Sequence, residues 1–198
     1  IHGPTLKQSN FDNPVLIMAG GFRSRLKPLT DDCPKPMLKV GDYPLLHILI
    51  QQLKSYGFSN IFISLHYMSD YIVDYFGDGR DFGVKINYLH EKKPLGTGGA
   101  LLSALEYLSS TFIVLYADVY SDVDLNLLAK YHQKSNSDIT VVAHPNSHPE
   151  DSDIFILNDN NEVIDISPHP HNPNLKIRNM VNAAMYVFNK SILLKNKL

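Results

Sequence analysis

A short apolar run that ends in two glycines is the feature that most limits how this chain can fold. Residues Val15 to Ala19 are all apolar, and Gly20 and Gly21 follow them directly. A fully apolar run of this length is typical of a central parallel strand, because helices cover both of its faces. A glycine pair at the end of such a strand lets the backbone turn sharply and approach a ligand without an intervening Cβ.

Segments of strand length and helix length alternate after this run. The predicted strands are 15–19, 60–65, 84–90, 111–117 and 138–142. The predicted helices are 44–56, 69–76, 97–108 and 124–134, with Gly57 as a cap after the first. Two later strands, 153–157 and 163–166, flank an Asn-rich hairpin loop, and a strand at 180–188 precedes a last helix. The pattern predicts an α/β protein with a three-layer α/β/α, Rossmann-like fold and a mixed, mostly parallel sheet.

The composition is that of an ordinary globular protein, and it excludes several classes of function. Of the 198 residues, 44% are hydrophobic and 19% charged, which suits one domain with a sizeable core. The net charge of −2, without a basic run, argues against a nucleic-acid binder. We expect no membrane segment, and the single cysteine, Cys33, favours a cytoplasmic location. We predict a tail or linker over 1–13 and a domain over 14–198 that is truncated at its C-terminus, since the chain begins at Ile1 rather than Met and stops at Leu198 just after a helical run.

The loop after the first strand carries two cations beside its glycines. Arg25 follows the glycine pair, and Lys35 stands between Pro34 and Pro36, which restrict its backbone. Backbone N–H groups in such a loop can bind phosphate oxygens, and the cations can neutralise charge on a phosphoryl group during its transfer. A glycine pair after a strand is common on its own, and neither the Walker nor the dinucleotide-binding spacing is present.

Two later features also follow strands. Three glycines within 96–99 open a helix, whose first N–H groups lack helical partners and can donate to a ligand. Taken alone, the segment is as typical of a tight strand-to-helix turn as of a ligand site. Asp118 ends the fourth strand, where open α/β sheets bind ligands, and one carboxylate is adequate as a first Mg²⁺ ligand. Asp122 and Asp124 are instead predicted to cap the following helix.

Taken together, these motifs resemble the signature of the sugar-1-phosphate nucleotidyltransferases. The family usually has GGxGTRLxPLT followed by PKPML, where this chain has GGFRSRLKPLT over 20–30 and PKPML over 34–38. The segment PLGTGGAL over 94–101 resembles the family's PLGTAGAL, and VNAAMYVF over 181–188 resembles VNAGIYVF. The resemblance extends from about residue 15 to about residue 188 and is closest to the mannose-1-phosphate guanylyltransferase-like branch.

The resemblance implies a fold of the nucleotide-diphospho-sugar transferase type and a Mg²⁺-dependent enzyme. Such an enzyme condenses an NTP, with GTP favoured here, and a sugar-1-phosphate into an NDP-sugar and pyrophosphate, for nucleotide-sugar and polysaccharide biosynthesis. It implies catalytic roles for Arg25, Lys35 and Asp118, metal ligation by Asp118, and a sugar contact for Asn182. The residues implied in nucleotide binding are Leu16, Ala19, Gly20, Gly21, Arg25, Lys35, Glu91, Gly96 and Gly98. The resemblance also allows a homo-oligomer and an additional regulatory domain in the full-length protein.

Three departures from the family pattern leave a second class of function open. Arg23 stands where the family has glycine, which leaves three alternatives: a strained backbone, an added phosphate contact or a remodelled loop. Residues 166–171 read ISPHPH where relatives have Glu-Lys-Pro, so Lys176 or Arg178 would have to replace the family's lysine. The family's second metal-binding Asp lies beyond the last residue of this sequence. The alternative function is that of a regulatory homologue that binds nucleotide without turnover. A dinucleotide-binding oxidoreductase is disfavoured, because this sequence lacks the glycine fingerprint of that class. We expect neither a metal site among the histidines nor a nucleophilic Cys33, because ligand spacing and an adjacent base are missing.

Overall fold

The computed structural model describes residues 13–21, 30–91, 95–148, 152–171 and 178–195. The strands are β1 (Val15–Met18), β2 (Lys39–Val40), β3 (Tyr43–Pro44), β4 (Asn60–Leu65), β5 (Lys85–His90), β6 (Thr111–Tyr116), β7 (Ile139–His144), β8 (Ile154–Leu157), β9 (Val163–Ser167) and β10 (Val181–Asn189). The α-helices are α1 (Leu45–Ser55), α2 (Ser69–Phe76), α3 (Gly96–Ala104), α4 (Leu125–Ser135) and α5 (Lys190–Lys195). Eight strands form a mixed sheet, and β2 pairs with β3 in a separate one, which confirms the predicted α/β class.

The chain divides into two compact units, Ile1–Thr140 with Val187–Leu198, and Val141–Tyr186. In the first unit, β5, β4, β1 and β6 lie side by side in that order, and every pairing among them is parallel. Residues Val15, Leu16 and Ile17 of β1 have no solvent exposure, as expected for a strand covered on both faces. Residues 1–12 of the predicted tail over 1–13 lie outside the described residues, and the predicted domain limits remain a prediction.

Helix α1 shows how the sequence pattern produces the layers. Its buried residues are Leu46, Leu49, Ile50 and Leu53, a spacing that places them on one helical face. Gly57 lies two residues after the helix, has a φ of 90° and donates its N–H to the carbonyl of Lys54 at 2.9 Å. The predicted glycine cap is therefore confirmed.

The pairings of β8 in the second unit are antiparallel. Strand β8 pairs with β9 and with the start of β10. The predicted hairpin between β8 and β9 is confirmed, since the carboxamide oxygen of Asn158 accepts from the backbone N–H groups of Asn160 and Glu162. Asn161 completes the turn with a φ of 60°.

The start of α4 depends on one carboxylate. Asp124 Oδ1 accepts from the backbone N–H groups of Asn126 at 2.9 Å and Leu127 at 3.1 Å, which confirms Asp124 as the N-cap. We predict that Asp124→Ala lowers the free energy of unfolding by about 1 kcal/mol, the usual effect of losing such a cap. Urea unfolding followed by circular dichroism measures this. Asp122→Ala, at an exposed position of the same loop, is the control, and equal losses in the two variants would contradict the assignment.

Candidate active site

The hydrogen-bond ladder of the first unit continues one residue beyond the strand ends. Ala19 N–H donates to the carbonyl of Ser64 at 3.0 Å, and Ala117 N–H donates to the carbonyl of Met18 at 3.1 Å. Because the strands are parallel, the loops that follow β1, β4 and β6 begin at the same edge of the sheet. This edge carries most of the residues predicted to act on a ligand.

An ion pair connects the first loop with the end of β6. Lys35 begins a short 3₁₀-helix, Lys35–Met37, that is preceded by Pro34, and its Nζ lies 2.7 Å from Oδ2 of Asp118. The two side chains are 28% and 23% exposed, so solvent reaches both. Ion pairs of this exposure contribute about 0–1 kcal/mol to stability, so the pair is easily exchanged for contacts with a ligand.

A second polar contact positions Glu91, which follows β5. Its Oε1 accepts from the hydroxyl of Ser64 at 2.7 Å, and its Oε2 accepts from the backbone N–H of Leu95 at 3.1 Å. Gly20 permits this arrangement, because a Cβ at that position would lie 2.9 Å from Glu91 Oε1 and 3.4 Å from the Cβ of His66. The carboxylate is thus packed against the first glycine loop.

The glycine-rich segment after β5 forms the first turn of α3. Gly96 has a φ of +67°, a conformation that favours glycine, and a Cβ on Gly99 would lie 2.7 Å from the Cβ of Leu95. The hydroxyl of Tyr116, the last residue of β6, donates to Oγ1 of Thr97 at 2.9 Å. The end of β6 and the first turn of α3 are therefore connected by a side-chain hydrogen bond.

These groups surround a cleft of about 300 Å³, within the size range of small-ligand sites. The residues that line it are Met18, Ala19, Gly20, Gly21, Lys35, Pro36, Glu91, Gly96, Thr97, Tyr116, Ala117 and Asp118. The cleft therefore combines glycine backbone, one cation and two carboxylates, a set suited to a polar ligand that carries phosphate groups.

The structure brings most of the predicted site residues together. Those that line the cleft are Ala19, Gly20, Gly21, Lys35, Glu91, Gly96 and Asp118. Leu16 is fully buried within β1, so its side chain belongs to the hydrophobic core and does not line the cleft. Gly98 is exposed on α3 and is not among the lining residues. Thr97 and Tyr116 also line the cleft but were not among the predicted site residues; a tyrosine two positions before Asp118 was the available signal.

The remaining predicted residues either fall outside the described ranges or belong to the second unit. Arg25 and Arg23 fall outside the described residues, as does Lys176. Asn182 belongs to the second unit, where its side chain donates to the hydroxyl of Tyr186 and accepts from the backbone N–H of Ala184.

Partial burial raises the pKa of the Cys33 thiol, because desolvation disfavours the thiolate. Within the described ranges, no cluster of three His, Cys, Asp or Glu side chains is arranged to hold a metal ion. No described helix is both long enough and apolar enough to cross a membrane.

Comparison with known proteins places the chain in a family. A family model described as Nucleotidyl transferase matches residues 14–197. A putative mannose-1-phosphate guanyltransferase of Sulfolobus acidocaldarius is 32% identical over 185 residues, 91% of this chain and 50% of the relative. A UTP–glucose-1-phosphate uridylyltransferase of Synechocystis sp. is 27% identical over 193 residues, 90% of this chain and 50% of the relative. The crystal structure of HddC from Yersinia pseudotuberculosis complexed with GMP-PN has a TM-score of 0.75 and 29% identity, covering 91% of this chain and 78% of that one.

The fold and the cleft define an α/β protein with a ligand site at the carboxyl ends of its parallel strands. The chain belongs to the nucleotidyl transferase family, and the predicted similarity to sugar-1-phosphate nucleotidyltransferases is confirmed. It spans about half the length of these curated relatives.

The close approach of Gly20 to Glu91 yields a testable prediction. We expect Gly20→Ala to displace the Glu91 carboxylate, leave the buried hydroxyl of Ser64 without its partner, and lower the free energy of unfolding by about 1–2 kcal/mol. Gly21→Ala is the matched control, because a Cβ at that position meets no atom within 4 Å. Urea unfolding measures both variants, and indistinguishable midpoints would contradict the packing described here.

Proposed function

We propose that this chain is the nucleotide-binding and catalytic core of a sugar-1-phosphate nucleotidyltransferase that uses GTP and Mg²⁺. An oxygen of the sugar-1-phosphate attacks the α-phosphorus of the NTP, and pyrophosphate leaves. The observation that carries the proposal is the Lys35–Asp118 pair in a glycine-lined cleft. The names of the relatives from Sulfolobus and Synechocystis support a sugar-1-phosphate nucleotidyltransferase, and that of the Sulfolobus protein, a putative mannose-1-phosphate guanyltransferase, supports GTP.

The chemistry requires positioning and neutralisation of charge more than covalent participation by the protein. The ammonium group of Lys35 contacts a carboxylate with which an entering phosphate competes, since both present anionic oxygens. The backbone from Ala19 to Gly21 lies in the same cleft and offers a close approach to those oxygens. Arg25 supplies a second cation in this proposal.

The donor set at Asp118 fits magnesium. Mg²⁺ is usually held by one or two carboxylates, substrate phosphate oxygens and water, so one partly exposed carboxylate in a phosphate-binding cleft is an adequate protein ligand. When bound, the ion would neutralise charge on the triphosphate. The contact between Asp118 Oδ2 and Lys35 supports the proposal, because it holds the carboxylate within the cleft.

Glu91 supports the choice of guanine as the base. Its carboxylate lines the cleft and has only acceptor atoms. Guanine presents two neighbouring N–H donors, on N1 and N2, and uracil presents a single N–H between two carbonyl oxygens. Because Ser64 and Leu95 orient the carboxylate, Glu91 would favour guanine over uracil.

The sugar contact and the cellular role complete the proposal. Asn182 is exposed in the second unit and is assigned to a hydroxyl of the sugar by its place in the family motif. The product would be a nucleotide sugar for polysaccharide synthesis in the cytoplasm. Further copies of the chain and a regulatory domain remain compatible with this assignment.

One observation favours the alternative, a homologue that binds nucleotide without turnover. In the segment that replaces the family's Glu-Lys-Pro, the His171 ring contacts Ser167 Oγ at 3.1 Å and the carbonyl of Ser152 at 2.7 Å. Arg178, a candidate substitute for the lysine, donates to Asn161 Oδ1 at 3.2 Å. Both side chains thus have contacts within the second unit, and turnover distinguishes the two functions.

Removing the charge of Lys35 tests catalysis. We predict that Lys35→Met lowers kcat/KM at least about 100-fold, the usual effect of losing a group that stabilises transition-state charge. Pyrophosphate release from each NTP, with Mg²⁺ and a panel of sugar-1-phosphates, measures this in the full-length protein. Lys39→Met, on the exposed strand β2, is the control. Wild-type turnover that persists in Lys35→Met would reject the role, and nucleotide binding without wild-type turnover would favour the alternative.

Replacing the Glu91 carboxylate tests base selection. We predict that Glu91→Gln lowers the ratio of kcat/KM for GTP to that for UTP at least about tenfold, because an amide offers a donor to guanine's donors. Competition between the two nucleotides in one reaction gives the ratio directly. Glu106→Gln, at an exposed position on the 3₁₀-turn after α3, is the control. An unchanged ratio would remove Glu91 from base selection.

A further inference from the structure

The first turn of α3 has little intrinsic stability, although it borders the cleft. Its sequence is Gly-Thr-Gly-Gly, and each glycine in a helix is less favourable than alanine by about 1 kcal/mol. The preceding residue, Leu95, provides no side-chain cap. The unpaired N–H groups of this turn are the donors that a helix start offers to an anion, so contacts from outside the helix must hold them in place.

Two contacts do so, and only one of them involves a side chain of the turn. Leu95 N–H donates to Glu91 Oε2, and Tyr116 Oη–H donates to Thr97 Oγ1 at 2.9 Å. Thr97 is the single residue of the Gly-Thr-Gly-Gly turn with a side chain beyond hydrogen, so a side-chain to side-chain contact with that turn has to involve Thr97. Tyr116 lies on β6, two residues before Asp118, and both line the cleft.

We propose that Tyr116 is a positioning residue for the nucleotide, and that its hydroxyl holds the first turn of α3 in its binding geometry through Thr97. The inference rests on the proposed nucleotide-binding function and deepens it. The tyrosine contributes by restricting the helix start before the ligand arrives, which reduces the ordering that binding would otherwise require. Its effect therefore falls on nucleotide affinity, and Asp118 and Lys35 keep their own contact.

The test is a double-mutant cycle of Tyr116→Phe and Thr97→Val. Each variant removes one partner of the hydrogen bond and keeps nearly the same volume. We expect each to raise the Kd for GTP about fivefold, the magnitude of one neutral hydrogen bond, and to raise KM more than it lowers kcat. The double variant should match either single variant, because both remove the same bond. Thr97→Ser, which retains the hydroxyl acceptor, should restore wild-type affinity.

A measurement without ligand separates this inference from the proposed function. The amides of Ala100 and Leu101 donate to carbonyls of the first turn in a helix of this kind, so hydrogen exchange at these amides reports the order of the turn. We expect faster exchange there in Tyr116→Phe and Thr97→Val. Tyr88→Phe is the control, because Tyr88 donates a comparable bond to the carbonyl of Gly77.

The outcomes are distinct. Additive effects in the cycle would overturn the role of Tyr116. The same conclusion would follow if the amides of Ala100 and Leu101 exchanged no faster in Tyr116→Phe and Thr97→Val than in Tyr88→Phe. If the wild type binds no nucleotide, the proposed function fails, and hydrogen exchange still decides whether Tyr116 holds the turn.

Discussion

The parallel pairing of β1 with β4 on one side and β6 on the other is the constraint on which the cleft depends. Backbone bonds continue the ladder past the strand ends, from Ala19 to Ser64, from Ala117 to Met18 and from Glu91 to Leu65. The loops that follow β1, β5 and β6 therefore start from a fixed backbone rather than from a flexible exit. Side chains far apart in sequence, such as Lys35 and Asp118, can then meet at 2.7 Å without an added scaffold.

Most of the fold could be predicted because burial leaves a local pattern in the sequence. The limits of β4 and α2 agree with the predicted segments 60–65 and 69–76. Elements without such a pattern were missed: β2 and β3 have two residues each, too few for a periodicity, and Lys35–Met37 is a single 3₁₀ turn. The predicted helix 97–108 is α-helical only to Ala104 and continues as a 3₁₀-turn over Leu105–Tyr107.

The site could be predicted as a set of positions but not as a set of contacts. Strand ends and glycines identify where a ligand would bind, because those features are local. The separation of 83 positions between Lys35 and Asp118 carries no local signal. Gly20 illustrates the same limit: its sequence context suggested a close approach to a ligand, and the structure adds a second reason, the Glu91 carboxylate that lies against it. Tyr116 was missed because an aromatic residue at a strand end is ordinary until its partner is known.

The Lys35–Asp118 pair also has a thermodynamic consequence under the proposed function. With both partners present, the ammonium and the carboxylate neutralise each other in the cleft, so neither is left as an uncompensated charge. An anionic phosphate that binds Lys35 and a cation that binds Asp118 would each have to break the same pair. Whichever binds first breaks it, so the second binds without that cost. Linkage makes this favourable coupling equal in both directions, and the contribution that comes from breaking the pair is bounded by the free energy of the pair itself, about 0–1 kcal/mol at this exposure.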